Sequence, residues 1–161
     1  MNIFVLHRNP TVAAQMACDK HVVKMILETC QMLSAVRLQN GREAPYKLTH
    51  EHHPCTIWAG TSMHNYAWLW KHGCALSDEY TYRYGKVHAC DQYLQGSLKW
   101  APELPRIGLT PFALAMPEEF RDSDPVIAYR KFYLATKARF ATWRERAEPL
   151  WFTLQNPELE V

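Results

Sequence analysis

The fold is decided by one helix-forming stretch, residues 9–36, which reads NPTVAAQMACDKHVVKMILETCQMLSAV. At about 100° per residue, His21, Lys24, Glu28 and Gln31 fall within about 80° of one another. The rest of the circumference is mostly apolar and consists of Val12, Met16, Val22, Val23, Met25, Ile26, Leu27, Met32, Leu33 and Val36. A surface helix usually shows a wide polar face. The pattern therefore predicts a helix that is buried on most sides and crossed by a narrow polar stripe.

The polar stripe places an imidazole, an ammonium and a carboxylate on one line, contributed by His21, Lys24 and Glu28. Such a set suits acid–base or electrostatic work in a cleft. The alternative is a satisfied structural network, or a helical ion pair between Lys24 and Glu28 at an exposed edge. Because the apolar arc is so wide, we interpret the stripe as part of a functional site.

Composition predicts one globular domain spanning residues 1–161. Apolar residues make up 48% of the chain and charged residues 21%, which excludes a disordered protein. A net charge of +2 gives no strong signal for a polyanion partner. Five scattered cysteines favour a reducing cytoplasm over a disulfide framework. The apolar run Asn2–Leu6 is too short for a signal peptide or a membrane span, so it predicts a short strand or a buried tail.

Start and stop signals along the chain predict an all-α, compact helical bundle. Asn9-Pro10 and Asp124-Pro125 are helix starts, with a capping side chain followed by proline. Gly73 is predicted to separate the second helix from the third. The predicted helices cover about 10–37, 55–72, 75–94 and 125–148, with a short extended segment before the first and a Pro-rich loop, 97–124, before the last.

The third predicted helix carries a second charged group. Glu79, Arg83 and Lys86 lie within about 60° of one another, with tyrosines interleaved. Arginine and lysine beside aromatic rings can grip a phosphate and stack a base. The alternative is a surface ion pair between Glu79 and Arg83 above core tyrosines.

On the last predicted helix, Arg130, Lys137 and Arg144 recur every seven residues and form a line. Together with Trp151, this line of cations has the composition of a surface that binds a phosphodiester backbone. A solvated basic edge over an aromatic core is the slightly favoured alternative.

A histidine-rich loop precedes the second predicted helix. His50, His52, His53 and Cys55 lack the two tight ligand pairs of a structural zinc site, so no metal is predicted. A helix-capping or substrate-facing His53 is favoured instead. The chain shows no glycine-rich phosphate loop, and no cofactor is predicted.

Four blocks of sequence resemble the pyrimidine-dimer DNA glycosylases of the phage endonuclease V type. CDKHVVKMILE at residues 18–28 resembles the first helix of that family, with its aspartate, histidine and glutamate in one gapless run. HPCTIW at 53–58 resembles the loop into the second helix, MPEEFR at 116–121 the segment before the last helix, and PLWF at 149–152 the aromatic C-terminal stretch. Their order and spacing cover most of the chain.

This resemblance implies a helical DNA-repair enzyme that removes a base and then nicks the abasic strand. In the family, the N-terminal α-amine attacks the sugar C1′ to form an imine, and a glutamate matching Glu28 is essential. The amine here is that of Met1, because Asn2 is too large for routine removal of the initiator methionine; Lys20 or Lys24 is the alternative amine. A carboxylate beside the sugar stabilises an oxocarbenium-like state and moves protons.

Two positions depart from the family pattern. Arginines that hold DNA phosphates in the family stand immediately before and three residues after the glutamate, where this chain has Leu27 and Gln31.

The expected catalytic group is Glu28 with Met1, while His21 and Lys24 orient or charge the site. The expected contacts to phosphate or nucleic acid are Lys20, Gln31, His53, Arg83, Lys86, Arg130, Lys137 and Trp151.

Three functions follow from these observations. The first is a DNA N-glycosylase with AP-lyase activity on a damaged or modified base, which a duplex would have to extrude. The second is an enzyme acting on a nucleotide or nucleoside with the same scaffold. The third is a non-enzymatic helical phage protein that binds a host partner. Each implies a cytoplasmic protein with no membrane partner, located in the host cytoplasm if phage-encoded.

Overall fold

The computed structural model describes residues 1–96 and 98–159, and within them every regular element is helical, which confirms the predicted all-α class. The elements are α1 (Pro10–Met16), α2 (Asp19–Gln39), α3 (Pro54–Thr61), α4 (Met63–Tyr84), α5 (Asp91–Leu94), α6 (Pro125–Lys137) and α7 (Leu150–Thr153), with a 3₁₀ turn at Glu118–Phe120. In the described ranges, no helix is long and apolar enough to cross a membrane.

The first predicted helix is in fact two helices, so the prediction of one continuous helix is wrong. Asn9 caps α1 as predicted, but Ala17 and Cys18 adopt extended backbone angles between α1 and α2. At the break, backbone groups that lack a helical partner form hydrogen bonds with side chains that are distant in sequence. The Cys18 N–H donates to the Tyr133 hydroxyl (3.0 Å), and the Trp143 indole donates to the Met16 carbonyl (2.9 Å). The break is therefore stabilised by tertiary contacts, which local sequence patterns do not contain.

Helix α4 runs unbroken through Gly73, which the sequence predicted to be a helix end. The glycine serves close packing instead, because a Cβ there would lie 2.6 Å from Cγ2 of Thr29 on α2 and 3.0 Å from Cδ2 of Leu94. Helix α4 ends at Gly85, whose φ of 67° is the left-handed conformation of a helix cap. The third predicted helix, 75–94, is thus the second half of α4 plus the short α5.

We expect Gly73→Ala to lower the free energy of unfolding by about 1–3 kcal/mol, because the added methyl overpacks the contact between α2 and α4. The control is Gly60→Ala, also in a helix, where the new Cβ would meet Val36 at an ordinary 3.6 Å. That change should be neutral or stabilising by up to about 1 kcal/mol. Urea titration followed by circular dichroism measures both. Equal midpoints for the two variants would contradict the packing argument.

The C-terminal third is less helical than predicted. Helix α6 starts after the Asp124 cap, as expected, but ends at Lys137 rather than near residue 148. The Pro-rich segment is irregular and is pinned to α4, since Asn65 donates to the Thr110 hydroxyl (2.7 Å) and accepts from the Thr110 N–H (3.0 Å). Ser97, the first residue of the predicted 97–124 loop, lies outside the described residues.

The N-terminal segment is a buried tail, one of the two predicted alternatives. Its residues Ile3–Leu6 are all buried among the helices. The buried Arg130 guanidinium donates from Nε to the Leu6 carbonyl (2.9 Å), and Phe4 has a φ of 34°. The tail places the Met1 amine beside the middle of α2.

Candidate active site

The N-terminus and the polar stripe of α2 meet at the Glu28 carboxylate. The Met1 amine lies 3.6 Å from Oε2 of Glu28, and the Asn2 backbone N–H donates to the same oxygen at 3.1 Å. The Lys24 ammonium contacts the other oxygen, Oε1, at 3.1 Å. The structure thus brings together three of the four predicted catalytic residues, Met1, Lys24 and Glu28, in one cluster.

The Asn2 side chain fixes the position of the terminal amine. Its Nδ2 donates to the Ala115 carbonyl at 2.8 Å, which ties the N-terminus to the irregular segment before α6. Its Oδ1 accepts from the N–H groups of Ile3 and Phe4, which closes a tight turn. The Met1 side chain is also anchored, because its sulfur lies 3.8 Å from the buried Thr56 hydroxyl. Sequence reasoning missed Asn2, since its partner is 113 residues away.

The carboxylate is recessed and the lysine covers it. The Glu28 side chain is 10% exposed, whereas the Lys24 side chain is 69% exposed. A nearly buried carboxylate needs compensating charge, and the Met1 amine and the Lys24 ammonium supply it from two sides. The charge of the recessed carboxylate is thus balanced by one anchored amine and one largely exposed ammonium.

His53 lies beside this cluster and caps α3, as one of the two sequence interpretations predicted. Its Nδ1 accepts from the Cys55 N–H at 3.1 Å, so the neutral ring carries its proton on Nε2. Burial lowers the pKa of His53, the positive terminal amine and His50 act in the same direction, and Glu28 acts in the opposite direction. His53 is thus neutral near pH 7 and in electrostatic contact with both the amine and the carboxylate.

His21 packs beneath the N-terminal tail. Its ring stacks on Phe4 with centroids 4.3 Å apart and meets the edge of Tyr133 at 5.0 Å. Burial lowers the pKa of His21 to about 3, with further contributions from Lys137 and Lys24. The ring is neutral at physiological pH, and its observed contacts support Phe4 rather than the carboxylate.

Lys24 belongs to a group of cations that we call the basic rim, which consists of Lys20 and Lys24 on α2 and of Lys137 and Arg139 at and just after the end of α6. The Lys20 ammonium lies 4.6 Å from the centroid of Phe140, and that of Lys137 lies 4.9 Å from the centroid of Phe132. Burial lowers the pKa of Lys137, Cys18 opposes this shift, and Lys24 and Arg139 add to it by like-charge repulsion. Because these cations repel one another, an anion bound among them would lower the electrostatic energy of this surface.

Arg139 was missed from the sequence because the last helix was predicted to continue. In a continuous helix, Arg139 would point about 200° away from Lys137. Helix α6 ends at Lys137, and the chain that follows places Arg139 close enough to Lys137 to influence its pKa. A helix-stop signal near residue 138 would have revealed it, but neither glycine nor proline stands there.

Arg83 is a structural residue, which corrects the predicted phosphate contact. It is 2% exposed and donates to the Glu79 carboxylate (2.8 Å), the Asp19 carboxylate (2.9 Å) and the Gln15 carbonyl (3.0 Å). The paired and enclosed guanidinium is not available to a phosphate in solution. The alternative reading of a Glu79–Arg83 pair was right about the partners but wrong in placing the pair on the surface.

Arg130 and Trp151 are also core residues, and their predicted contacts to nucleic acid are corrected for the same reason. Both side chains are fully buried, and the Arg130 guanidinium lies 5.1 Å from the Trp151 ring centroid. Arg130 further donates to the carbonyls of Leu6, Pro157 and Leu159. Arg130 thereby connects the N-terminal tail to residues 157–159 through hydrogen bonds.

The remaining predicted residues lie on the surface. Gln31 is half-buried one turn beyond Glu28 on α2, and Leu27 beside it is 38% exposed. Lys86 is exposed just after the end of α4. In the described parts of the chain, no group of three or more histidine, cysteine or acidic side chains is arranged to hold a metal ion.

Comparison with known proteins gives one match. A family model described as pyrimidine dimer DNA glycosylase matches residues 1–92, more than half of the 161 residues, and includes α2, the histidine loop and α4. No curated protein and no solved structure matches the chain. The match covers both Met1 and Glu28, and it agrees with the resemblance inferred from the motifs. The chain belongs to the pyrimidine dimer DNA glycosylase family.

Proposed function

We propose that this protein is a DNA N-glycosylase with AP-lyase activity, in which the Met1 amine is the nucleophile and Glu28 the catalytic carboxylate. The observation that carries the proposal is the 3.6 Å separation between the Met1 nitrogen and Oε2 of Glu28. An amine and a carboxylate held this close, on an anchored terminus, form a nucleophile with its own proton acceptor.

The first chemical step would replace the glycosidic bond with a bond to the enzyme. The Met1 nitrogen attacks C1′ of the damaged nucleotide, the C1′–N bond to the base breaks, and the base leaves with the bonding electron pair and takes up a proton. Glu28 accepts the proton that the amine loses, and its negative charge stabilises the oxocarbenium-like sugar. The C1′–O4′ bond then breaks, O4′ takes up the proton from Glu28, and an imine between the amine and C1′ forms while Glu28 returns to its carboxylate form.

The second step would nick the strand. The imine withdraws electrons from C2′, so that a base can remove a C2′ proton and the C3′–O bond breaks with the phosphate as leaving group. Glu28 is the nearby carboxylate that can accept this proton, whereas the neutral His53 ring, whose Nδ1 already accepts from the Cys55 N–H, can only donate a hydrogen bond from Nε2. Water then hydrolyses the imine and releases the free Met1 amine.

The basic rim would hold the strand during both steps. Of these cations, Lys24 contacts the recessed carboxylate directly, and a phosphate offers Lys24 a replacement for that contact. A damaged base in a duplex must be extruded to reach the site. His21 would serve as support for Phe4 and not as a reacting group.

Lys24 is the competing nucleophile, because its ammonium is even closer to Glu28, at 3.1 Å. The anchoring contacts of Asn2 favour Met1, since they restrict the terminal amine whereas the Lys24 side chain is largely exposed. A reacting group that is already positioned gains most from proximity.

Borohydride trapping tests the proposal. We expect a covalent adduct with an oligonucleotide containing an abasic site, and peptide mapping by mass spectrometry should place the label on Met1. A variant with Gly-Ser added before Met1 should lose the adduct, whereas Lys24→Gln should retain it. A label on Lys24 would overturn the assignment of the nucleophile. Absence of any adduct, together with turnover of free nucleotides, would favour the nucleotide-level enzyme instead.

A further inference from the structure

A basic cavity lies at the C-terminal end of α2, away from the amine–carboxylate cluster. Its volume is about 610 Å³, which falls within the range of about 300–1,000 Å³ that is usual for ligand pockets. We call it the Trp100 cavity, and it is lined by Arg37, Gly41, Arg42, Glu43, Lys99, Trp100 and Ala101. Three cations and one carboxylate give this lining a net positive charge.

The end of α2 builds one wall of the cavity. Gly41 adopts a φ of 69°, its N–H donates to the Leu38 carbonyl, and the Arg42 N–H donates to the Arg37 carbonyl at 2.9 Å. This is the Schellman arrangement, which reverses the chain at a helix end. The reversal brings Arg42 back beside Arg37, so that two guanidinium groups five positions apart line the same cavity.

The other wall supplies an aromatic surface. Trp100 is 59% exposed, and the Lys99 ammonium lies 5.6 Å from its ring centroid. Within the described residues, Nε of Arg37 is buried without a hydrogen-bond partner. An exposed indole beside cations is the combination that binds single-stranded nucleic acid, where the ring stacks on a base and the cations contact phosphate.

The cavity is within reach of a strand bound at Glu28. Arg37 lies nine residues after Glu28 on the same helix, which is about 14 Å along the axis. Nine residues also turn the helix by about 180°, so the two side chains lie on opposite sides of α2 and a strand must bend across the exposed face between them. At about 3.4 Å per nucleotide, the path takes at least about four nucleotides. Gln31, between the two sites, and the exposed Leu27, just before Glu28, offer no cation. The Trp100 cavity provides positive charge further along the helix.

We infer that the Trp100 cavity is a second nucleic-acid site, which takes a phosphate and one stacked base of the DNA strand at least about four nucleotides from the reacting sugar. The inference rests on the proposed function, because the reacting sugar is placed at Glu28. Arg37, Arg42 and Lys99 contact the phosphate, and Trp100 stacks on the base. A structural role for the two arginines, as charge compensation for the carboxyl end of α2, predicts no dependence on the length of the DNA.

Substrate length separates the two roles. Trp100→Ala and Arg42→Ala are compared with the wild type on a long single strand, with about ten nucleotides on each side of an abasic site, and on a short strand with two. The matched control is Arg106→Ala, an exposed arginine that does not line this cavity. We expect kcat/KM on the long strand to fall about 10-fold for Trp100→Ala, mainly through KM, with no change on the short strand.

Binding gives a readout that does not depend on catalysis. Fluorescence anisotropy with the same two strands should show the same length-dependent loss, and Arg42→Ala should reduce the salt slope of binding by about 0.7. Equal effects on long and short strands, or none on either, would overturn the inference. If the wild type gives no borohydride adduct, the proposed function fails, while the anisotropy measurement still decides whether the cavity binds DNA.

Discussion

Glu28→Gln is expected to lower the rate of adduct formation with abasic DNA by about 10²–10⁴-fold and to leave the helical content unchanged. The amide is nearly isosteric with the carboxylate, and its oxygen can still accept the Asn2 N–H that now bonds at 3.1 Å. It cannot take a proton from the Met1 amine, and it carries no charge to stabilise a cationic sugar. The substitution therefore removes proton acceptance and charge stabilisation but preserves the shape of the side chain.

Single-turnover trapping with borohydride measures this loss, and circular dichroism verifies the fold. Glu51→Gln is the matched control, since it makes the same change at a half-buried loop glutamate, whose recorded ion pair is with His52. Its trapping rate should equal that of the wild type. A Glu28→Gln protein that forms the adduct at the normal rate would remove the carboxylate from the mechanism, even if Met1 were labelled.

The helix starts marked by a cap and a proline could be predicted from the sequence, but the starts of α2 and α4, inside predicted helices 10–37 and 55–72, and several helix ends could not. The caps at Asn9, His53 and Asp124 each combine a hydrogen-bonding side chain with a following proline, and each begins a helix in the structure. The ends at Met16 and Lys137 carry no comparable local signal. At the first of them, Tyr133 and Trp143 satisfy the backbone from far along the chain.

The candidate site was partly predictable for a similar reason. The stripe on α2 identified Lys24 and Glu28, since helical periodicity is a local property. The approach of Met1 depends on the bond between Asn2 and Ala115, which joins residues 113 apart. Only the family resemblance suggested that the amine belongs there.

The buried arginines show the limit of reading charge from sequence. Spacing along a helix led to Arg83 and Arg130 being expected to contact phosphate or nucleic acid, whereas both are buried and paired, the situation in which arginine is found in a protein interior. Their partners are spread along the chain, including Asp19 for Arg83 and Leu6 for Arg130. Spacing within one helix cannot reveal such partners, and it therefore overestimated the phosphate-binding surface of α4 and α6.

Arg83→Leu should lower the free energy of unfolding by about 3–5 kcal/mol, the cost of removing one partner from a buried ion network. Arg83 joins α4 to α2 through Asp19 and to the end of α1 through the Gln15 carbonyl. After the substitution, Glu79 keeps Arg146 at 2.8 Å, and Asp19 keeps the Thr142 hydroxyl. The Asp19 carboxylate, however, loses its only recorded ion-pair partner in the described residues.

Urea titration measures the loss, with Lys86→Leu as the control because it makes the same change at an exposed position three residues later. That control should stay within about 0.5 kcal/mol of the wild type. Adding Asp19→Asn to Arg83→Leu should recover part of the stability, because the uncompensated carboxylate is removed. A loss below about 1 kcal/mol for Arg83→Leu, equal to that of Lys86→Leu, would show that the network is not needed to hold α1, α2 and α4 together. Full recovery in the double variant would instead show that the charge on Asp19, and not the packing of the guanidinium, makes the arginine necessary.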